Sequence, residues 1–210
     1  MENLLDLYEE PYDAQFPVVC LDEKPVQLIE ETRTSIPAKP GRCKRVDYEY
    51  RRKGCCNLFV AVEPLRGKRH IEATDRRTKQ DFALFVKELV EHPDYINARK
   101  IRLVMDNLNT HRPAALYETF EPEVARQILR KVEFYYTPKH GSWLNMAEIE
   151  ISVLQNQCLK RFTPSREALE NDIRIHESTR NAKNATIAWA FTVPKAREKM
   201  ATSYNSLLNA

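Results

Sequence analysis

An α/β fold, with a mixed sheet flanked by helices and a helical C-terminal extension, is what the sequence predicts. Three observations predict it. The first third of the chain carries short apolar or alternating runs punctuated by turn residues. The middle alternates strand-like apolar runs with helical periodicity, and the last third is helical throughout. A strand meander followed by alternating helix and strand places helices over both faces of a mixed sheet. The 210 residues suit one domain with a substantial core, and 42% hydrophobic with 30% charged residues is a globular rather than a disordered balance.

Residues 1–16 are acidic and show no clear period, so they read as a tail or linker. Pro17 to Lys24 reads as strand one. Residues 32–44, with Pro37, Pro40 and Gly41, form a loop. Arg45 to Arg51 alternates Val46, Tyr48 and Tyr50 with charged residues, the period of a half-solvated strand. Lys53-Gly54 marks a turn. Asn57 to Val62 is an apolar strand, Pro64 to Gly67 turns the chain, and Lys68 to Thr74 returns as another strand. Thr78 opens a helix with Phe82, Phe85, Val86, Leu89 and Val90 on one face, ended by Pro93. Lys100 to Asp106 holds a continuous apolar run, as expected of a strand covered on both faces. One or two helices follow His111-Arg112-Pro113 up to residue 130, and Val132 to Tyr136 is the last strand. Leu144, Ala147, Ile151, Leu154 and Cys158 share a helical stripe reaching about Arg161. Ser165 caps a helix through roughly Ala182, and a final helix spans Pro194 to Leu208.

Composition excludes several classes. With 4 Gly the chain has no Gly-rich phosphate loop. The 5 Cys match no zinc spacing and read as reduced thiols. No apolar run approaches the length of a membrane span, and the acidic N-terminus lacks a signal-peptide core. A cytoplasmic, nucleoid-associated protein with no membrane partner is expected. The net charge of +3 is unevenly spread. Residues 1–31 carry nine acidic side chains against one Lys, whereas Lys39 to Lys53 carries seven Lys or Arg. Within that run Lys44, Arg45, Arg51, Arg52 and Lys53 are candidate phosphate contacts.

Three carboxylates stand out. Asp22 and Asp106 close apolar strand-like runs, and Glu148 lies near the start of the Leu144 helix. Carboxylates at strand tips suit metal binding better than packing, and three that converge can hold Mg²⁺ or Mn²⁺ for phosphodiester cleavage. Glu23 adjoins Asp22, but successive strand residues face opposite sides, so one of the two aims at the site. Glu150 competes with Glu148, because both flank the apolar stripe and the helical wheel does not separate them.

The segment Tyr136-Thr137-Pro138-Lys139-His140-Gly141-Ser142-Trp143-Leu144-Asn145-Met146-Ala147-Glu148 resembles the Pro…Ser…Leu-Asn-Pro-Ile-Glu signature of the mariner superfamily of DDE transposases, in particular its bacterial insertion-sequence branch. Asp106-Asn107 with nearby His111 resembles that family's second motif, and Val18 to Lys24 resembles its first. Ile187-Ala188-Trp189-Ala190-Phe191-Thr192 is similar to a Trp-x-Phe-Thr stretch near the branch's C-terminus. The predicted element order is also the ribonuclease H-like layout.

The resemblance covers about residues 17–195. It implies a ribonuclease H-like fold, DNA strand cleavage and strand transfer at the ends of an insertion sequence, and two Mg²⁺ or Mn²⁺ held by Asp22, Asp106 and Glu148. The match to Leu-Asn-x-x-Glu selects Glu148 over Glu150. Double-stranded DNA, both terminal inverted repeats and target, is the implied partner, bound by a homodimer. His111, Lys139, His140 and Trp143 join the basic run as candidate DNA contacts, the basic run bordering the same face as the acidic triad. A catalytic core over 17–162 and a C-terminal helical extension of the same domain over 163–210 are expected.

Two departures from the family stand out. Met146-Ala147 replaces the frequent Pro-Ile, a harmless change because Pro in a first helical turn is optional. Strand one starts by about residue 17, leaving no room for the family's helix-turn-helix modules, so a separately encoded helix-turn-helix half or a truncated copy is expected. A stand-alone ribonuclease H-like nuclease and an inactive DNA-binding remnant are the competing readings.

Overall fold

The computed structural model describes residues 1–204 apart from 34, 35, 46, 48, 109, 110 and 203. Five strands form a single mixed sheet: β1 (Val18–Glu31), β2 (Tyr50–Glu63), β3 (Lys68–Thr74), β4 (Ile101–Met105) and β5 (Val132–Tyr136), in spatial order β3-β2-β1-β4-β5. The β1–β2 and β2–β3 pairs are antiparallel, whereas β1–β4 and β4–β5 are parallel. The parallel half is reached through helical crossovers: α2 (Lys79–Glu91) before β4, and α3 (Ala114–Thr119) with α4 (Pro122–Lys131) before β5.

Strand alternation sorts the core into two faces. Val19, Leu21, Phe59, Ala61, Leu103 and Met105 pack under α2, α3 and α4. Their alternates Cys20, Val62 and Val104 face the other side, against Leu144, Met146 and Ala147. Further along that second face, Leu58, Val60, Ile71 and Ala73 meet α5 (Ala147–Gln157) and α6 (Arg166–Ala182). Helix α2 starts as its sequence dictates: Thr78 and Asp81 form a reciprocal capping box. Ser165 caps α6 through Ala168 N.

The structure corrects three expectations. First, the acidic N-terminal segment is no tail: Glu2–Glu9 forms α1, which buries Leu4, Leu5, Leu7 and Tyr8. Eight residues are too few for a stable isolated helix. Docking supplies the stability, about 1.5–3 kcal/mol per buried leucine. Second, Lys53-Gly54 is not a turn. It lies inside the continuous strand β2, where the register with β1 shifts between Leu28 and Ile29. Leu28 faces Gly54 and Ile29 faces Arg52, so Lys53 is the extra residue of a bulge, and Gly54 adopts the φ of +119° that a side chain would resist. Third, of the strand expected over Arg45–Arg51, Tyr50 and Arg51 open β2 and Arg45 makes an isolated bridge to Ile36. Val46 and Tyr48 lie outside the described residues.

The expected last helix begins as α7 (Val193–Lys199), and residues 203 and 205–208 of it lie outside the described residues. Helix α7 packs on α1, with Arg197 Nε 2.8 Å from Glu2 Oε1. No described helix is long and apolar enough to cross a membrane.

Candidate active site

Strand β1 runs on to Glu31 instead of ending near Lys24, so Asp22 lies inside it, and the site lies where its parallel pairing with β4 ends. Cys20 on β1 pairs with Val104 on β4, so Asp22 and Asp106 each lie two residues beyond that pair, on neighbouring strand paths. Strands are spaced about 4.8 Å apart, which brings the two carboxylates to adjacent positions. Asp22 shares the face of Cys20, toward α5, while Glu23 turns to the opposite face.

Glu148 comes from the second residue of α5, and a buried amide sets where that helix begins. Asn145 Nδ2 donates to the Leu21 carbonyl at 2.7 Å, and Asn145 Oδ1 accepts from Ala147 N at 3.1 Å. One side chain thus fastens the start of α5 to the residue preceding Asp22. Behind it, Tyr8 of α1 donates its hydroxyl to the Leu144 carbonyl at 2.9 Å.

The three acids act on one another by like-charge repulsion. Burial pushes the Asp22 pKa up to about 7, and the charges of Glu148 and Asp106 add to the rise against a backbone hydrogen bond from Glu23 N and the His111 charge. Among the described residues, no three His, Cys, Asp or Glu side chains are already placed to hold one metal ion together. The donors nonetheless fit a hard divalent cation. They are all carboxylate oxygens, and Mg²⁺ keeps several waters and takes few carboxylates.

The choice between Glu148 and Glu150 now has a physical basis. Glu150 is fully buried beneath α6 and β3, with Arg69 Nε and Arg180 Nε each 2.9 Å from its Oε1 and His176 Nε2 at 3.4 Å. Burial raises its pKa, but His176, Arg69 and Arg180 outweigh that and hold it at about 2. Glu150 is committed to this structural cluster, whereas Glu148 is exposed.

His111 departs from its expected place. It is fully buried, against the ring of Phe82, and cannot reach DNA. Its Nε2 lies 3.0 Å from Glu23 Oε1 and its Nδ1 2.6 Å from Asp106 Oδ1. Burial draws its pKa down, but Asp106 and Glu23 outweigh this and raise it to about 9. The strand parity that turns Glu23 away from Asp22 is what delivers it to His111.

The remaining candidates divide in two. Lys139 and His140 are exposed in the loop before α5, and Trp143 is half exposed with its edge against Phe191, ring centroids 5.3 Å apart. Lys44, Arg45, Arg51, Arg52 and Lys53 are all exposed, but they do not border the acidic residues. They occupy the far end of the β1–β2 ribbon: Arg52 pairs with Ile29, seven residues from Asp22 and so about 23 Å along the strand. Lys53 is partly neutralised there by Glu30, 2.8 Å away.

A family described as DDE superfamily endonucleases matches residues 17–170. The chain belongs to that family. No curated protein matches the sequence. Among solved structures, the chain is similar to the Mos1 transposase paired-end complex with left transposon end, at TM-score 0.62 and 14% identity over 96% of this chain and 59% of that one. It is also similar to the Mos1 mariner paired-end complex with Mn, at TM-score 0.56 and 15% identity over 88% of this chain and 56% of that one. The Mos1 strand transfer complex matches at TM-score 0.52 and 14% identity, over 88% and 54% of the two chains. At these identities the likeness is one of fold: a ribonuclease H-like mixed sheet with flanking helices. This DDE endonuclease chain spans little more than half the length of those transposase chains.

Proposed function

We propose that this chain is the catalytic domain of a transposase, cleaving and joining DNA strands at the ends of an insertion sequence, with Asp22, Asp106 and Glu148 as its catalytic carboxylates. The observation that carries this reading is the placement of Asp22 and Asp106 two residues beyond the last parallel pair, Cys20 and Val104, with Glu148 close enough for its charge to act on the buried Asp22 carboxyl. Acids crowded in this way call for a cation. The three residues would hold two Mg²⁺ or Mn²⁺, which when bound supply an activated water or 3′-hydroxyl and stabilise the leaving oxygen. Solved Mos1 complexes containing Mn and Mg support a divalent ion.

The chain's own residues do the positioning. Asn145 sets the start of α5, and with it Glu148, against β1. Lys139, His140 and Trp143 form an exposed loop beside that helix start, suited to backbone contact and base stacking. The basic end of the β1–β2 ribbon would engage phosphates at a distance from the cleavage point. The partners are terminal inverted repeats and target DNA, bound by a homodimer, with a separately encoded helix-turn-helix half supplying end recognition. The core spans 17–162, with 163–210 as an extension of the same domain, in a cytoplasmic, nucleoid-associated protein of bacterial type.

Incubating the chain and Mg²⁺ with duplexes that do or do not carry the flanking inverted repeat, at high DNA concentration, tests the reading. Cleavage at the repeat boundary and joining of the new 3′ end to a second duplex are expected. Equal cutting of both duplexes without joining would indicate a general nuclease instead.

A further inference from the structure

A buried histidine clasped between two carboxylates calls for an explanation. His111 and the Glu23 side chain are almost wholly buried, under α2 and against Phe82, where an apolar pair would pack without the cost of desolvating charge. Three further features fix the ring. Tyr136 Oη donates to the His111 carbonyl at 2.8 Å, Nε2 meets Glu23 Oε1 at 3.0 Å, and Arg77 Nη1 lies 4.0 Å from the other Glu23 oxygen. The ring is therefore oriented from behind, and its other nitrogen, Nδ1, faces Asp106, 2.6 Å from Oδ1 and 3.3 Å from the backbone carbonyl oxygen.

We infer that Glu23 and His111 are positioning residues that orient the Asp106 carboxylate, occupying Oδ1 so that Oδ2 is presented to the divalent ion. This rests on the reading of Asp106 as a ligand. A ligand carboxylate left to rotate would lose affinity, and partners of this kind set ligand direction in metal sites generally. The contact is close without being well aligned. That is common before a ligand arrives, since such bonds tighten in the loaded complex. Glu23 performs this role because it follows Asp22: successive residues of β1 deliver a carboxylate to the ion on one face and an anchor for the histidine on the other.

Mn²⁺ binding to the full chain without DNA, followed by electron paramagnetic resonance titration beside metal-free thermal melts, tests the relay. Four variants are compared with the native chain: Asp106→Asn, His111→Gln, His111→Asn and Glu23→Met. Gln places its amide near the Nε2 position and leaves Asp106 without a donor, whereas Asn places one near Nδ1. His111→Gln and Glu23→Met should weaken Mn²⁺ binding by about 10-fold or more. His111→Asn should fall between His111→Gln and the native chain. A simple packing role would shift the melts without this ordering. Native Mn²⁺ affinity in His111→Gln and Glu23→Met, with Asp106→Asn impaired, would overturn the relay while sparing the metal site. Native affinity in Asp106→Asn would remove the metal-site reading and the relay with it. If His111→Gln does not fold, Glu23→Met decides: similar in length and lacking an acceptor, it retains native affinity only if the relay is wrong.

Discussion

The side-chain amide of Asn145 hydrogen-bonds the Leu21 carbonyl at 2.7 Å across 124 positions of sequence, joining the first strand to the start of α5. Through this bond the residues flanking Asp22 and Glu148 become one rigid unit. Replacing Asn145 with Ala leaves a buried carbonyl without a donor and Ala147 N without an acceptor. The expected cost is about 1–3 kcal/mol of stability. Cleavage should fall further than stability does, because α5 is free to shift. Denaturant melts alongside single-turnover cleavage measure the two effects separately.

Glu150 gives a pH signature. Its pKa falls from the ordinary 4.5 to about 2 on folding, so the stability it contributes is complete above about 4.5 and drains away as the pH falls toward 2. Glu150→Gln should leave Arg69 and Arg180 uncompensated and cost about 3–5 kcal/mol at neutral pH. It should also remove this part of the acid sensitivity. Urea unfolding of both chains between pH 2 and 7 reads the difference.

Asp22 acts with the opposite sign. Its folded pKa of about 7 lies above its ordinary 3.8, so ionising it weakens the metal-free fold as pH rises through that window. Asp22→Asn should raise metal-free stability at pH 8 by on the order of 1 kcal/mol, about 2–4 °C in Tm for a chain of this size. Mg²⁺ should stabilise the native chain by mass action and stabilise Asp22→Asn far less. Thermal melts with and without Mg²⁺ decide this.

How legible this was in the sequence varies from residue to residue. The alternation of Val19 and Leu21 against Cys20 and Asp22 was readable, because strand parity is local, and it correctly separated Asp22 from Glu23. The decision between Glu148 and Glu150 was not open to a helical wheel. Glu150 is claimed by Arg69 from β3 and Arg180 from α6, partners distant in sequence. Helix α1 was hidden because its apolar residues sit among Glu2, Asp6, Glu9 and Glu10, and an eight-residue helix has no stability apart from the surface it covers. Lys53-Gly54 looked like a turn because glycine at positive φ serves turns and bulges alike. His111 was recognisable as part of a motif, but its burial depended on α2 lying over it.

The docked N-terminal helix carries its own prediction. Tyr8→Phe removes the hydroxyl that bonds the Leu144 carbonyl and should cost about 1 kcal/mol. Removing residues 1–9 exposes Leu144, Met146 and Ala147 and should lower stability by several kcal/mol, the scale of burying three leucines. If the truncated chain melts with the native one, α1 is not part of the folded unit.

The basic ribbon end is expected to contact DNA backbone. Neutral substitutions at Lys44, Arg45, Arg51, Arg52 and Lys53 should weaken binding to all sequences alike. They should also flatten the dependence of log affinity on log salt by about 0.9 for each phosphate no longer neutralised. Altered sequence preference with an unchanged salt slope would argue against a backbone role.

The proposed function requires Asp22, Asp106 and Glu148 to form a metal-dependent site for cutting DNA. Cleavage of an inverted-repeat duplex by the native chain and by Asp106→Asn, each in Mg²⁺ and in EDTA, tests it most directly. Cleavage by the native chain in Mg²⁺ alone is expected. Cleavage that persists in Asp106→Asn, or that proceeds equally well in EDTA, would contradict it.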